Sequence, residues 1–246
     1  MMENKVIQVL EILNNANHVT VFTGAGVSVE SGIPPFRGET GLWSKYDPEF
    51  LELDYFYTNP LKSWKVIKEI FYDFFGQAKP NNAHIAIAKL EAKGIVKAVI
   101  TQNIDNLHQE AGSNVVYEFH GNSHSLKCIK CNTIFKLNEV NIEILPPKCL
   151  KCEGILKPDF IFFGEGIPPI AYENSMIEAE LADVFIVVGT TGEIMPACMI
   201  PQIAKRNGVK IIEINPEKSL YTNTITDIHL QGKAGEVMLD LYNNLK

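Results

Sequence analysis

Apolar residues run almost without a break through five short stretches of this chain: residues 19–23, 96–101, 115–119, 184–188 and 209–214. Strands this apolar are buried on both faces, as in a parallel sheet. Between them the apolar residues return at helical spacing. Val6, Val9, Leu10 and Leu13 mark a helix over 5–16. Leu61, Trp64, Ile67, Ile70, Phe71, Phe74 and Phe75 mark another over 61–76, by steps of three and four. Further helices are predicted from residue 80 to Gly94, near 196–207 and from Gly235, with Gly94 suited to a C-cap. A short strand near 225–230 and the apolar stretch 160–163 complete the pattern. Alternating strands and helices predict an α/β fold whose parallel sheet is covered on both faces. Two segments interrupt it. Residues 39–60 gather Trp43, Tyr46, Phe50, Tyr55, Phe56 and Tyr57 among turn residues, which suits a packed lid or a cleft wall. Residues 123–156 hold four cysteines.

The chain is organised around the turn that follows the first strand, residues 24–38. Gly24 and Gly26 carry no Cβ, so the backbone there turns sharply and can approach a ligand closely. A helix opening near Val27 would aim its free N–H groups at a pyrophosphate, with Pro34 and Pro35 stopping it and Arg37 adding a fixed positive charge. The third glycine of G-x-G-x-x-G is missing, because Val29 stands there, so this stretch alone also fits an ordinary tight turn.

Composition narrows the function classes. The 246 residues suit one α/β unit with an insertion, or two small domains. A formal charge of −7 disfavours a general grip on nucleic acid and a DNA-binding zinc ribbon. No apolar run is long enough to span a membrane, and the N-terminus lacks the apolar core of a secretion signal, so a cytoplasmic location is expected. Cys128-x2-Cys131, 17 residues, then Cys149-x2-Cys152 is the spacing of a four-thiolate zinc site. Disulfides or a redox pair compete with that reading and fit the expected compartment less well. Four thiolates leave zinc no open position, so the ion would fold its segment and not catalyse. Cys198 stands alone and reads as a small buried hydrophobe.

Ligands of parallel sheets collect at the carboxyl ends of the strands. There the chain places Gly24, Ala25 and Gly26; Gln102, Asn103 and Asp105; His120-Gly121; Gly189, Thr190 and Thr191; and Asn215. Five strand ends with small, amide, hydroxyl or ionisable residues on one edge argue for a site.

The ordered set of motifs resembles the sirtuin family of NAD-dependent protein lysine deacylases, of bacterial or archaeal type. It comprises Gly24-Ala25-Gly26-x-Ser28 through Gly32-Ile33-Pro34-x-Phe36-Arg37; Thr101-Gln102-Asn103-Ile104-Asp105-x-Leu107-His108; Glu118-x-His120-Gly121; both cysteine pairs; Phe163-Gly164-Glu165; Gly189-Thr190; and Ile214-Asn215. It covers about residues 10–235. The resemblance implies a Rossmann-like doubly wound parallel sheet with a small zinc-binding domain and a helical and loop insertion. The corresponding division is 1–33 with 80–122 and 157–246 for the NAD-binding domain, 34–79 for the cofactor loop and helical insertion, and 123–156 for the zinc module. It implies that Gly24, Ala25, Gly26 and Arg37 hold the pyrophosphate of NAD, and that Gln102 and Asn103 sit by the nicotinamide ribose. Ile104 and Asp105 would bind the carboxamide, and Gly189, Thr190, Thr191, Asn215, Lys233 and Ala234 the adenosine half. His120 would be the general base, with Asn103 also catalytic, while Phe163, Gly164, Glu165, Glu193 and Ile194 flank an acyl-lysine peptide paired as an added strand. His108 reads as a helix residue packing below the site.

Two departures from the family pattern stand out. Pro35 replaces a polar residue before Phe36, and Thr191-Gly192-Glu193-Ile194 replaces the commoner Ser-Leu-x-Val. Family members that remove succinyl or malonyl groups resemble one another in a Tyr-x-x-Arg pair in the helical segment. Here the only arginines are Arg37 and Arg206, so acetyl or a longer apolar acyl group is expected. The expected activity consumes NAD and releases nicotinamide and O-acyl-ADP-ribose. The alternatives are a protein ADP-ribosyltransferase and a non-catalytic zinc and nucleotide-binding module. Acyl-lysine proteins or peptides are the expected partners, with no nucleic acid, no membrane, and a monomer as the working expectation.

Overall fold

The computed structural model describes residues 2–38 and 41–245. Strands β1 (Val19–Thr23), β2 (Val96–Thr101), β3 (Val116–Glu118), β7 (Val184–Val188), β8 (Lys210–Asn215) and β9 (Ile228–Gln231) form one parallel sheet in the order β3-β2-β1-β7-β8-β9. Strand order reverses between β1 and β7, which is the switch point where a doubly wound sheet opens a crevice. The strands alternate their side chains between two cores. Val21, Ile186 and Ile212 face α1 (Met2–Asn15), α4 (Asn82–Ala92) and α8 (Ala234–Asn244). Phe22, Val187 and Ile211 face the other layer, which holds α6 (Pro169–Leu181) and α7 (Met199–Arg206).

A second sheet, antiparallel and three-stranded, is built from β4 (Gly121–Cys128), β5 (Ile134–Lys136) and β6 (Leu156–Phe160) in the order β5-β4-β6. It shares its core with the insertion. Phe50, Phe56, Trp64, Phe71 and Phe75 pack there with Phe135, Phe160 and Phe162. Trp64 is fully buried, and its Nε1 donates to the Leu156 carbonyl at 2.7 Å.

Several expectations are redrawn. The turn after β1 continues as a seven-residue 3-10 helix, Ala25–Ser31, and not as an α-helix. Gly32 stops it at φ +88°, ahead of the prolines, by donating to the carbonyls of Ser28 and Val29. The helix expected over 61–76 divides. Two short helices, α2 (Leu53–Thr58) and α3 (Pro60–Ile67), lead into a π-helical stretch Lys68–Phe74. The wider π turn moves Phe74 out of register with Ile67 and Ile70, so Phe74 is exposed. Helix α6 goes unread in the sequence because its pattern is inverted. Ala171, Ser175, Glu178 and Ala179 are its buried face, while Ile170, Ile177 and Leu181 are exposed. No helix among the described residues is long and apolar enough to cross a membrane.

Candidate active site

Because the six strands of the large sheet are parallel, their carboxyl ends share one edge, and the residues singled out in the sequence gather there. Gly24, Gly26 and Gly189 make the switch point. Gly24 N donates to Val188 O at 3.0 Å, and Gly26 N to Gly189 O at 2.8 Å. A Cβ on Gly26 would lie 2.6 Å from Gly189 Cα, and one on Gly189 would lie 2.4 Å from Val27 N. The glycines therefore serve first to let two strand ends touch, backbone on backbone, and Gly189 at φ +63° adds a conformation that glycine adopts freely.

The third strand end holds His120. Its Nδ1 donates to the Gln102 carbonyl at 2.9 Å. A carbonyl only accepts, so the neutral ring carries its proton on Nδ1 and keeps the Nε2 lone pair, which has no partner among the described residues. Burial pushes the His120 pKa below the ordinary histidine value, although the Gln102 hydrogen bond opposes it. The ring is thus a neutral proton acceptor at pH 7.

Beneath it lies a buried polar network. Asn103 Nδ2 donates to Ser28 Oγ at 3.0 Å, and Ser28 Oγ donates to Asp105 Oδ2 at 2.7 Å. Leu107 N donates to Asp105 Oδ1 at 3.0 Å. Burial raises the Asp105 pKa, and these donors pull it back. Behind Ser28, His84 Nδ1 accepts from Asn81 N at 3.3 Å, which leaves its Nε2 proton facing Ser28 Oγ at 3.4 Å. His108, on α5 (Leu107–Glu110), meets Thr23 Oγ1 through Nε2 at 3.0 Å, while its buried Nδ1 has no partner among the described residues. The two rings lie 4.9 Å apart. Burial lowers the His84 pKa to about 4 and that of His108 well below 6.5, with His84 as a further cause for His108. His84 was not among the candidate residues, nor was Thr23, whose Oγ1 also donates to Thr101 Oγ1 at 2.9 Å. A histidine two residues past the start of a helix gives no sign in sequence that it reaches back to the glycine turn.

The remaining strand ends line the other side. Asn215 Nδ2 donates to Thr190 O at 2.9 Å, and Gln102 Nε2 meets Thr190 Oγ1 at 3.3 Å. Lys233 and Ala234 follow β9 beside Asn215, with Gly232 N on Asn215 O at 3.3 Å. Glu30 caps α8 from outside by accepting from Gly235 N at 2.6 Å, a link the sequence did not suggest. Thr191 O accepts from Leu220 N at 3.0 Å. Gly192 sits at φ +76°, and a Cβ there would lie 3.0 Å from the Tyr221 ring, so the leucine of the commoner pattern has no room.

Arg37 and Glu193 face each other across the cleft mouth, with Nη1 and Oε2 3.5 Å apart and both side chains about half exposed. Pro35 keeps its carbonyl in use, accepting from Leu42 N at 2.9 Å. An aromatic chain joins this loop to Phe163: Phe36 to Trp43 at 5.4 Å between centroids, and Trp43 to Phe163 at 6.3 Å. Phe163 is half exposed, and its backbone bridges Leu51 and Leu53. The Glu165 carboxylate, expected toward a peptide, turns inward to Phe162 N at 2.6 Å and Lys157 Nζ at 2.9 Å.

The four cysteines converge, with all ligand sulfurs within 4.8 Å of one another. Cys128 and Cys152 sulfurs are 3.5 Å apart, and those of Cys131 and Cys149 are 3.7 Å apart. A tetrahedron with zinc–sulfur bonds of about 2.3 Å has edges of about 3.8 Å, so the set fits zinc. Backbone N–H groups of Lys130 and Lys151 point at Cys128 and Cys149 sulfurs at 3.4 Å, as thiolates require.

Comparison with known proteins agrees with this geometry. Residues 24–196 match the Sir2 family model. NAD-dependent protein deacylase 2 of Pyrobaculum aerophilum is 44% identical over 244 residues, covering 98% of this chain and 96% of that protein. A mutant Sir2 homologue solved as an ADP-ribose complex superposes with a TM-score of 0.92 at 43% identity, covering 97% of this chain and 95% of the other. A Sir2 complex with p53 peptide and NAD+ superposes at 0.88 with 34% identity, covering 96% of each chain. With motifs, fold and strand-end geometry in agreement, the chain belongs to the Sir2 family.

Proposed function

We infer that this chain is an NAD-dependent protein lysine deacylase that passes the acyl group to the ADP-ribose part of NAD. The observation that carries this reading is His120, a neutral ring whose Nε2 has no partner among the described residues, set past the carboxyl end of β3 and tied to the end of β2 through the Gln102 carbonyl. NAD, when bound, supplies an electrophilic ribose carbon and nicotinamide as leaving group. The protein's part is to hold, orient and accept a proton. The Gly24–Gly26 turn and Arg37 suit the pyrophosphate, and Gln102, Thr190, Asn215 and the Lys233–Ala234 stretch suit the adenosine half. Asn103 and Asp105, braced by Ser28, suit the nicotinamide end, with Ile104 alongside. His120 Nε2 takes the proton of a ribose hydroxyl as that hydroxyl attacks the transferred acyl carbon.

The peptide edge falls to Phe163, Gly164 and Glu165 through their backbone, with Glu193 and Ile194 opposite. A cavity of about 310 Å³ between Pro34, Leu42, Ile70 and Phe74 also carries Lys45, Tyr46 and Glu69 on its wall, so the expectation of acetyl or longer apolar chains over acidic ones rests on the lack of an arginine in 61–76. A zinc ion on Cys128, Cys131, Cys149 and Cys152 has no open position and is structural. Its thiolates need a reducing compartment, which supports a cytoplasmic location. Acyl-lysine peptides suit an acidic protein better than nucleic acid does.

The test is acyl-peptide-dependent release of nicotinamide from NAD, measured on acetyl-, myristoyl- and succinyl-lysine peptides. His120→Ala is expected to slow turnover by roughly 10²–10⁴. The acid limb of the wild-type pH profile should lie below 6.5, because burial lowers the His120 pKa. Full activity in His120→Ala overturns the base assignment. A preference for succinyl overturns the acyl assignment, and a protein-linked ADP-ribose as main product favours the transferase alternative.

A further inference from the structure

Lys157 is a buried charged residue near the start of a five-residue strand, and nothing in the chemistry above uses it. It lies on β6, with its side chain 8% exposed. Nζ donates to Pro158 O and to Phe160 O, each at 2.8 Å, pairs as an ion with Glu165 Oε2 at 2.9 Å, and lies 4.1 Å from the Phe162 ring centroid. The same Glu165 oxygen accepts from Phe162 N, while Glu165 N donates to Phe162 O at 3.0 Å. The chain from 160 to 165 is thereby closed into a strapped turn.

What the strap holds matters. Phe162 points into the core and is 2% exposed, but the next residue, Phe163, is 50% exposed, and Gly164 follows at φ +91°. Apolar packing holds Phe162, but the open residues after it need another anchor. The ion pair beneath them supplies one, because the Lys157 ammonium, buried beside a Glu165 carboxylate that is 23% exposed, would be stranded without it. The turn is also in register with His120, since Ile161 N donates to His120 O at 2.9 Å. On the outer side Phe163 N donates to Leu51 O, and Leu53 N to Phe163 O.

We propose that the Lys157–Glu165 pair is the positioning device for the substrate peptide, fixing the turn that presents the Phe163–Gly164 backbone edge beside His120. This rests on the reading of 163–165 as the docking edge of an acyl-lysine peptide. Lys157 and the Glu165 side chain touch neither substrate nor NAD in this scheme. They act through the backbone they hold.

The pair also carries a line of connection. β6 is hydrogen-bonded to β4, with Cys128 opposite Leu156 and Lys127 opposite Lys157. The strand that leaves the cysteine cluster therefore bears the lysine that sets the peptide edge.

The experiment is steady-state deacylation of an acetyl-lysine peptide by the full chain, with peptide varied at saturating NAD and NAD varied at saturating peptide. Variants are Lys157→Arg, Lys157→Met, Glu165→Asp and Glu165→Gln, each with a thermal midpoint. Wild type without acyl-peptide-dependent turnover removes the functional reading itself, before any variant is compared. With wild type active, Lys157→Met, Glu165→Gln and Glu165→Asp are each expected to raise peptide KM about tenfold, equivalent to about 1.4 kcal/mol of lost binding. NAD KM should stay within about twofold, since uniform damage would move both. Lys157→Arg keeps the charge and should stay near wild type in peptide KM. The double variant Lys157→Met/Glu165→Gln should be no worse than either single one, as expected for partners in one interaction. Glu165→Asp, which shortens the side chain but keeps the charge, covers the case in which the neutral variants fail to fold. An unchanged peptide KM in Glu165→Asp, or a parallel rise in both KM values, overturns the proposal.

Discussion

Two of the three cores of this protein are built from different materials. The buried residues on one face of the parallel sheet carry no ring, among them Val21, Val99, Ile186, Ile212, Met238 and Leu241, with only the partly buried Tyr242 packed against them. The core between the insertion and the small sheet is dominated by rings, including Phe50, Phe56, Trp64, Phe71, Phe160 and Phe162. Regular strands and helices bring small branched side chains into register, and many such contacts share the load. The insertion is short turns, 3-10 segments and a π-helical stretch, so a few large side chains must fill irregular gaps. The first region should yield gradually to substitution. The second should depend on single anchors, and on the metal.

Removing zinc should have the largest effect. Zinc binding is worth about 10–16 kcal/mol in small zinc-dependent folds. A chelator is expected to abolish amide-exchange protection in β4, β5 and β6 while β1, β2, β7 and β8 stay protected. Equal loss in both sheets would break the contrast. Next, Trp64→Ala should cost about 3–5 kcal/mol by urea denaturation, as expected for a large buried ring. It also strips the Leu156 carbonyl of its indole donor. Ile186→Val, in the aliphatic core, should cost only about 0.5–1.5 kcal/mol. Equal costs would remove the distinction between the two cores.

Acid should fall between these two. His84 and His108 are buried neutral, with folded pKa values below the unfolded 6.5. The unfolded chain then binds protons first as pH falls. Stability is full above about pH 6.5 and is lost on the way down to the folded value, near 4 for His84. The loss from His84 is of order 3 kcal/mol, from about 1.4 per pKa unit. A thermal midpoint that does not change between pH 7 and pH 5 would sink this assignment.

The parallel sheet was legible in the sequence because a strand buried on both faces writes itself as an unbroken apolar run, as in 184–188. The zinc cluster was legible because ligand spacing is nearly a geometric statement. Helix α6 was not, since Ser175 and Glu178 are buried while Ile170 and Leu181 are exposed. Glu178 is held inside by hydrogen bonds to Thr20 and His18, partners 158 and 160 residues away. The π turn at Lys68–Phe74 was hidden too, because three- and four-residue steps look alike until one extra residue is let into the turn. At the candidate site, Gly24, Gly26 and His120 stood out by position. Glu30, His84 and Lys157 did not, because each acts on a distant segment that no local pattern names.

The contact among Gly24, Gly26 and Gly189 works as a gauge. Two strand ends meeting at bare backbone set the gap between β1 and β7 by the thickness of a peptide chain, and no choice of side chain can widen or narrow it. The segments on either side, 34–38 with its second proline and 190–194 with its glycine and glutamate, are thereby free to drift in sequence while the mouth between them keeps its bore. Variation in this protein's relatives should therefore accumulate around that seam and spare the three glycines that close it.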